Sequence, residues 1–266
     1  MNSRIKPEDL WAQIGSADSP VVIDVRVAED VAAIPALVPA LVQHGHADIH
    51  EWALALSGRP AAIICHKGLK LSEGVAALLR LKGIEATVVE GGTVAWKRAG
   101  LPMVPLVKIP SRVGHVTRWV TRERPKIDRI ACPWLIARFI DATAEFLFVP
   151  SADVLSQATQ SGAVPYDIPG VELSHVGELC SFDAFLKKYQ LTEPALQQLA
   201  MIVRGADTAR LDLAPQAAGL LAISLGLSHL FQGDHEMLKH GIIVYDALYE
   251  WCKACQQETH GWPPTA

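Results

Sequence analysis

The stretch Cys65-His66-Lys67-Gly68-Leu69-Lys70 gathers the residue types of nucleophilic sulfur chemistry within six positions. Ala61-Ala62-Ile63-Ile64-Cys65 reads as a buried strand ending on the thiol, and a helix is expected from about Ser72 to Leu81. A loop wrapped between strand end and helix start turns backbone N–H groups inward, beside the positive end of the helix dipole. Such a nest holds anions and favours the thiolate of a cysteine at its centre. Lys67 and Lys70 add positive charge, and Gly68 permits the tight backbone. The alternative for Cys65 is a packed strand-end thiol without chemistry.

Other chemistry-bearing residues lie in the second half of the chain. Glu172 and His175 stand three apart, and Asp207 follows in a turn-like stretch. Carboxylates and an imidazole from separate segments are the usual composition of a divalent metal site. Exposed carboxylates with a capping histidine fit the same spacing. Asp128, Arg129 and Cys132 open an amphipathic helix, with Asp128 and Cys132 on one face, and offer oxyanion-binding or redox groups. From Arg112 to Arg129, six basic residues stand against two acidic ones, Glu123 and Asp128. That segment could meet an oxyanion, a nucleic acid phosphate, or acidic groups of its own domain. Cys252 and Cys255 form a C-x-x-C with His260 beyond, but they sit in the last turns of a helix without a second pair. They read as helix residues rather than a zinc or redox site.

The elements that position these groups divide the chain in two. Leu101 to Arg112 holds three prolines in twelve positions, which suits an extended connector. Residues 1–110 carry 11 Lys+Arg and 11 Asp+Glu; residues 111–266 carry 13 and 17, and so the whole net charge of -4. The expected layout is a first domain over 1–107, a linker over 108–116 and a second domain over 117–266. In the first, the apolar runs Val21–Val25, Ala61–Cys65 and Ala86–Val89 alternate with helical patterns. That is the sign of a parallel α/β sheet with ligands at its strand carboxyl ends. The second reads as mainly helical α+β, with helices over 127–140, 194–203, 215–231 and 235–255 and strands over 145–149 and 163–168.

The 266 residues, 50% hydrophobic and 20% charged, suffice for two packed cores and lie far from disorder. Five irregularly spaced cysteines do not make a disulfide scaffold, and one must stay unpaired. Neither a signal pattern nor an apolar run of about 18 residues occurs, so a cytoplasmic protein without a membrane span is expected.

Asp24-Val25-Arg26, the six-residue cysteine loop, and Glu90-Gly91-Gly92-Thr93-Val94-Ala95-Trp96 leading to Ala99-Gly100-Leu101-Pro102 resemble, in that order, the single-domain rhodanese family of sulfurtransferases. The resemblance covers roughly residues 5–105. It implies a rhodanese-like parallel sheet flanked by helices, with Cys65 carrying a persulfide. The loop residues Lys67, Gly68 and Lys70 would serve catalysis, and His66, Leu69 and Arg26 would line the substrate. Lys70 stands where the family often has Arg, keeping the charge without the bidentate fork. Where the family usually has His-Ile-Pro-Gly-Ala, this chain has only Ile34-Pro35-Ala36. Arg124–Asp141, Glu145–Pro150, Ile168–Phe182, Val203–Gly226 and Tyr245–Trp251 resemble the chromate-resistance protein family in its C-terminal domain.

Together these resemblances imply a sulfurtransferase linked to chromate detoxification. Small oxyanions (thiosulfate, chromate) and a thiol or cyanide acceptor would be its partners, and sulfur transfer would require no cofactor. A divalent metal in the second domain is the one cofactor the residues suggest. The second hypothesis is a chromate- or metal-sensing regulatory protein with the rhodanese-like domain as scaffold. Nucleic acid is not favoured as a partner, since no basic recognition helix is apparent.

Overall fold

A computed structural model describes residues 3–16, 19–56, 58–113, 116–258 and 261. It divides into two compact units: Met1–Ser111 with Ile136–Ala144, and Arg112–Leu135 with Glu145–Ala266.

The first unit is built on a five-stranded, all-parallel sheet. Its strands are β1 (Arg4–Ile5), β2 (Val21–Asp24), β4 (Leu41–Gln43), β5 (Ala61–Ile64) and β6 (Ala86–Val89), in the order β1-β6-β5-β2-β4. The middle strand β5 is apolar and buried throughout, as a strand covered on both faces must be. Helices α1 (Pro7–Gln13), α2 (Ala28–Ala33), α3 (Ile49–Trp52), α4 (Lys70–Leu81) and α5 (Gly92–Arg98) accompany it. Helix α4 turns Val75, Ala76 and Leu79 into the core, and they pack with Ile63 and Val88. The proline-rich stretch supplies more than a connector. Its β7 (Val104–Pro105) pairs antiparallel with β3 (Ala36–Leu37).

The second unit has a three-stranded parallel sheet, β10-β8-β9, of β8 (Arg118–Arg122), β9 (Glu145–Val149) and β10 (Val164–Pro165). Among the described residues it is accompanied by the α-helices α6 (Asp128–Leu135), α7 (Val154–Ser161), α8 (Ser181–Tyr189), α9 (Pro194–Asp207), α10 (Ala217–Leu230) and α11 (Asp234–Glu250). The helix expected over 127–140 keeps α geometry only to Leu135, then widens into a π turn over Ile136–Ile140. Pro133 lies inside it and has no N–H for the Arg129 carbonyl. Helix α9 starts cleanly because the Glu193 carboxylate accepts the Leu196 N–H at 2.8 Å and Pro194 needs no partner at the first position. Among the described residues no helix is long and apolar enough to cross a membrane.

Four arginines of the basic stretch are committed internally. Arg118 pairs with Glu145, and Arg122 and Arg129 with Asp167. Arg124 donates to the carbonyls of Ser228, Phe231 and Gln232, which stand at the end of α10. A guanidinium there satisfies carbonyls without helical partners and opposes the negative dipole end. Of the three partners the sequence left open for this segment, these four arginines have taken acidic and carbonyl groups of their own unit.

Candidate functional site

Cys65 follows directly on β5, at the carboxyl end of the sheet, and is 5% exposed. The carbonyls of Cys65 and His66 accept the N–H groups of Thr93 (3.0 Å) and Val94 (3.1 Å) from the first turn of α5. In a trans peptide the N–H points opposite to its C=O, so the N–H groups of His66 and Lys67 face away from α5. Two glycines allow this stacking. Gly68 has φ +64°, and a Cβ there would strike the Val89 carbonyl and lie 2.8 Å from the Gly91 nitrogen. Gly92 has φ +59°, and a Cβ there would strike the Cys65 carbonyl and lie 2.6 Å from the Gly68 nitrogen. Both the left-handed backbone and the close approach demand glycine.

Ser72, fully buried in the first turn of α4, was not singled out by the sequence. Its Oγ lies 3.2 Å from the Cys65 sulfur and donates to the Leu69 carbonyl at 3.0 Å, leaving the thiol as donor to Ser72. Lys67, Leu69 and Lys70 are exposed at the rim, while His66 is half-buried. Arg26 needs correction as a substrate residue. Its side chain is 0% exposed and grips Asp24 through Nε at 2.8 Å and a second nitrogen at 2.7 Å. Its remaining donors hold the carbonyls of Ile34 and Ala36. It therefore braces the turn that replaces the longer family motif and offers nothing to a substrate.

The second unit gathers a cluster that the sequence showed only in part. Asp128 opens α6, Asp207 ends α9, Asp167 follows β10, and His175 lies in the loop before α8. The His175 Nε2 stands 3.2 Å from Asp128 Oδ2, 3.2 Å from Asp207 Oδ2 and 3.4 Å from Asp167 Oδ1. Asp128, 2% exposed, also accepts the Ser181 N–H at the start of α8, at 3.3 Å. Asp167 is anchored by Arg122 at 2.7 Å, Arg129 at 3.2 Å and the Ser181 hydroxyl at 2.9 Å. The reading of 163–168 as one strand hid it: β10 covers two residues, and Asp167 then turns with φ +53°. An acidic residue just past a parallel strand's carboxyl end was the available signal.

These neighbours shift one another's proton affinity. The hydrogen bond to Asp128 outweighs burial and lifts His175 to about 9, with the Asp128, Asp207 and Asp167 charges adding. Burial, then repulsion from Asp128, pushes Asp207 up to about 7, and Asp167 is raised by the same causes.

Glu172 stands apart from this group. It is 69% exposed and pairs with Lys188 at 2.7 Å, so it does not join His175 and Asp207. Arg129 also donates to the carbonyls of Arg122 and Glu123, so it has no fork free for an oxyanion. Cys132 is fully buried, and its thiol is pushed well above its ordinary value by burial and by Asp128. It packs rather than reacts, and a pocket of carboxylates repels an oxyanion. The five cysteines are free thiols. Cys252 and Cys255 lie on the π turn Trp251–Cys255 that follows α11, and His260 is outside the described residues.

Comparisons with known proteins agree with this division. Residues 6–99 match the family described as the rhodanese-like domain, and residues 119–252 the one described as ChrB, C-terminal domain. Protein ChrB of Cupriavidus metallidurans is 31% identical over 133 residues, which cover 50% of this chain and 40% of that relative. The match thus spans less than half of the relative's length. Among solved structures, a rhodanese-like domain protein from Staphylococcus aureus is 26% identical with TM-score 0.32, covering 36% of this chain and 91% of that one. A rhodanese-related protein from Thermoplasma volcanium is 24% identical with TM-score 0.33, covering 38% and 96%. With the second match spanning half its length, the chain belongs to the family of the ChrB C-terminal domain and carries a rhodanese-like domain ahead of it.

Proposed function

We propose that the first unit is a sulfurtransferase that works through a persulfide on Cys65, in a chain serving chromate tolerance. The observation that carries this reading is the placement of the Cys65 thiol. It stands at the carboxyl end of β5, in a six-residue loop whose carbonyls are tied down by α5. The Cys65 thiolate attacks the outer sulfur of thiosulfate. The S–S bond of the donor breaks, sulfite leaves with the bonding pair, and the outer sulfur remains on Cys65 as a persulfide. Cyanide or a thiolate then attacks that sulfur, and Cys65 leaves as thiolate. Electrons balance without an outside oxidant.

The N–H groups of His66 and Lys67 would hold the negative charge, and the exposed Lys67 and Lys70 would draw in the dianion. In the thiolate state the Ser72 hydroxyl can turn from the Leu69 carbonyl to donate to sulfur. Chromate is also a tetrahedral dianion and suits the same loop, which, with the family membership, supports the link to chromate. The test is thiosulfate:cyanide transfer by wild type and Cys65→Ser, with mass spectrometry after thiosulfate alone. A single adduct of about 32 Da on wild type, absent from the variant, is expected of a reactive thiolate. Equal transfer rates in both proteins would end the proposal.

A further inference from the structure

The Asp128–His175–Asp207 cluster carries chemistry that the Cys65 loop does not use. From its geometry we infer that it is a binding site for one divalent first-row cation, with Asp128, His175 and Asp207 as ligands and Asp167 as the anchored neighbour. The ligand atoms of the three all lie within 4.8 Å of one another.

The spacing of the donors is the first argument. A dication bound at about 2.1 Å places neighbouring donors about 3.0 Å apart in an octahedron and about 3.4 Å apart in a tetrahedron. His175 Nε2 stands 3.2 Å from an oxygen of Asp128 and 3.2 Å from one of Asp207. One ring N–H can serve one carboxylate well, and only the Asp128 contact has hydrogen-bond geometry. The second contact rests on charge alone, so the three donor atoms already converge at ligand spacing on a point that a cation can take.

Charge is the second argument. Asp167 is already balanced by Arg122 and Arg129. That leaves the carboxylates of Asp128 and Asp207 facing His175, and a dication that displaces the imidazole proton meets two carboxylates and a neutral imidazole, a set whose charge matches it. Buried carboxylates that converge without a cation repel one another, and such groups are retained when they are paired or ligate metal.

Access is the third. Asp128 Oδ2, the oxygen that faces His175, also accepts the Ser181 N–H, while the His175 side chain is 40% exposed. The carboxylate is therefore fixed in the protein, and solvent reaches the cluster on the His175 side. Two carboxylates with one imidazole suit Mn2+, Fe2+ or Zn2+ better than a thiolate-seeking ion. Cys132 and Cys180, both buried, have burial and Asp128 keeping their thiols protonated and contribute no ligand.

The test is titration of the chelator-treated full chain with Mn2+, followed by electron paramagnetic resonance. The expected result is one Mn2+ per chain in wild type and Glu172→Gln, with binding weaker by on the order of tenfold or more in His175→Gln and Asp207→Asn. Equal affinity in all four proteins, or no Mn2+ bound to wild type, overturns the site. Wild type alone gives a second reading that does not depend on how the variants fold. Bound Mn2+ should show electron spin-echo coupling to one imidazole nitrogen, and bound Mn2+ without that coupling overturns the assignment of His175.

Discussion

The Cys65 loop and the Asp128–Asp167–His175–Asp207 cluster are built in opposite ways at equivalent places. Each lies at the carboxyl end of parallel strands, β5 in one unit and β8 with β10 in the other. The loop is one continuous stretch, 65–70, and its geometry follows from local backbone: strand, six residues, helix. The cluster draws on α6, the turn after β10, the loop before α8 and the end of α9, so it exists only once four segments have packed. A contiguous site is chiefly a question of backbone shape, and glycines set it. A distributed site is a question of buried charge, and its arginine and serine anchors set it.

The sharpest separation of the two comes from Cys65→Ser. Sulfur transfer should fall by roughly 10^4-fold or more, as when other nucleophiles are removed, while Mn2+ affinity stays at the wild-type value. Paired assays on one preparation check this, and a coupled loss of both would show that the two regions do not act independently. Next in size is Arg26→Ala. It leaves Asp24 buried without its partner, and breaking such a pair costs about 3–5 kcal/mol. Urea unfolding measures the loss. An unchanged midpoint with a raised KM for thiosulfate would return Arg26 to the substrate.

Gly92→Ala adds a backbone clash with the Cys65 carbonyl to the roughly 1–3 kcal/mol of a non-glycine residue at positive φ, and so should cost a comparable amount. The added contact with the Cys65 carbonyl should lower transfer as well, and transfer at the wild-type rate would show that the loop is not braced from α5.

For the metal-free second unit, the raised proton affinities of His175 and Asp207 set a pH profile with one sign. His175, lifted from 6.5 to about 9, contributes stability that is fully present below pH 6.5 and lost as pH rises through 9. Asp207, lifted from 3.8 to about 7, favours the folded state with its proton on, so stability also declines between those values. Urea midpoints should thus fall steadily from pH 5 to 9, and His175→Gln should flatten the upper part. A rising profile contradicts the clustering. The smallest effect belongs to Glu172→Gln. A pair in which Glu172 is 69% exposed contributes at most about 1 kcal/mol, so stability should change little and Mn2+ binding should stay put.

Legibility followed the same divide. The β5–loop–α4 unit appears in the sequence because an apolar run, a cysteine, a glycine and a helical period stand side by side. Helices α10 and α11 announced themselves by length and period. Arg26 was legible as part of a motif but not as a brace, since its partners are backbone carbonyls at 34 and 36, which carry no side-chain signature. The proline-rich stretch did not show that two of its residues would pair with β3. Nor did it show that 136–144 would join the first unit, because Ala36, Leu37 and Phe139 are ordinary apolar residues wherever they stand.

The sequence alone located the first unit's candidate nucleophile and the elements around it, because neighbours along the chain fix strand, turn and helix by local backbone rules. Tertiary structure alone decided that His175 and Asp207 meet Asp128 and Asp167 while Glu172 turns outward to Lys188. It also decided that the basic run is tied to Asp167, Glu145 and the end of α10. The physical reason is that a carboxylate's role depends on which charges share its buried surroundings, and those arrive from segments far apart in the chain.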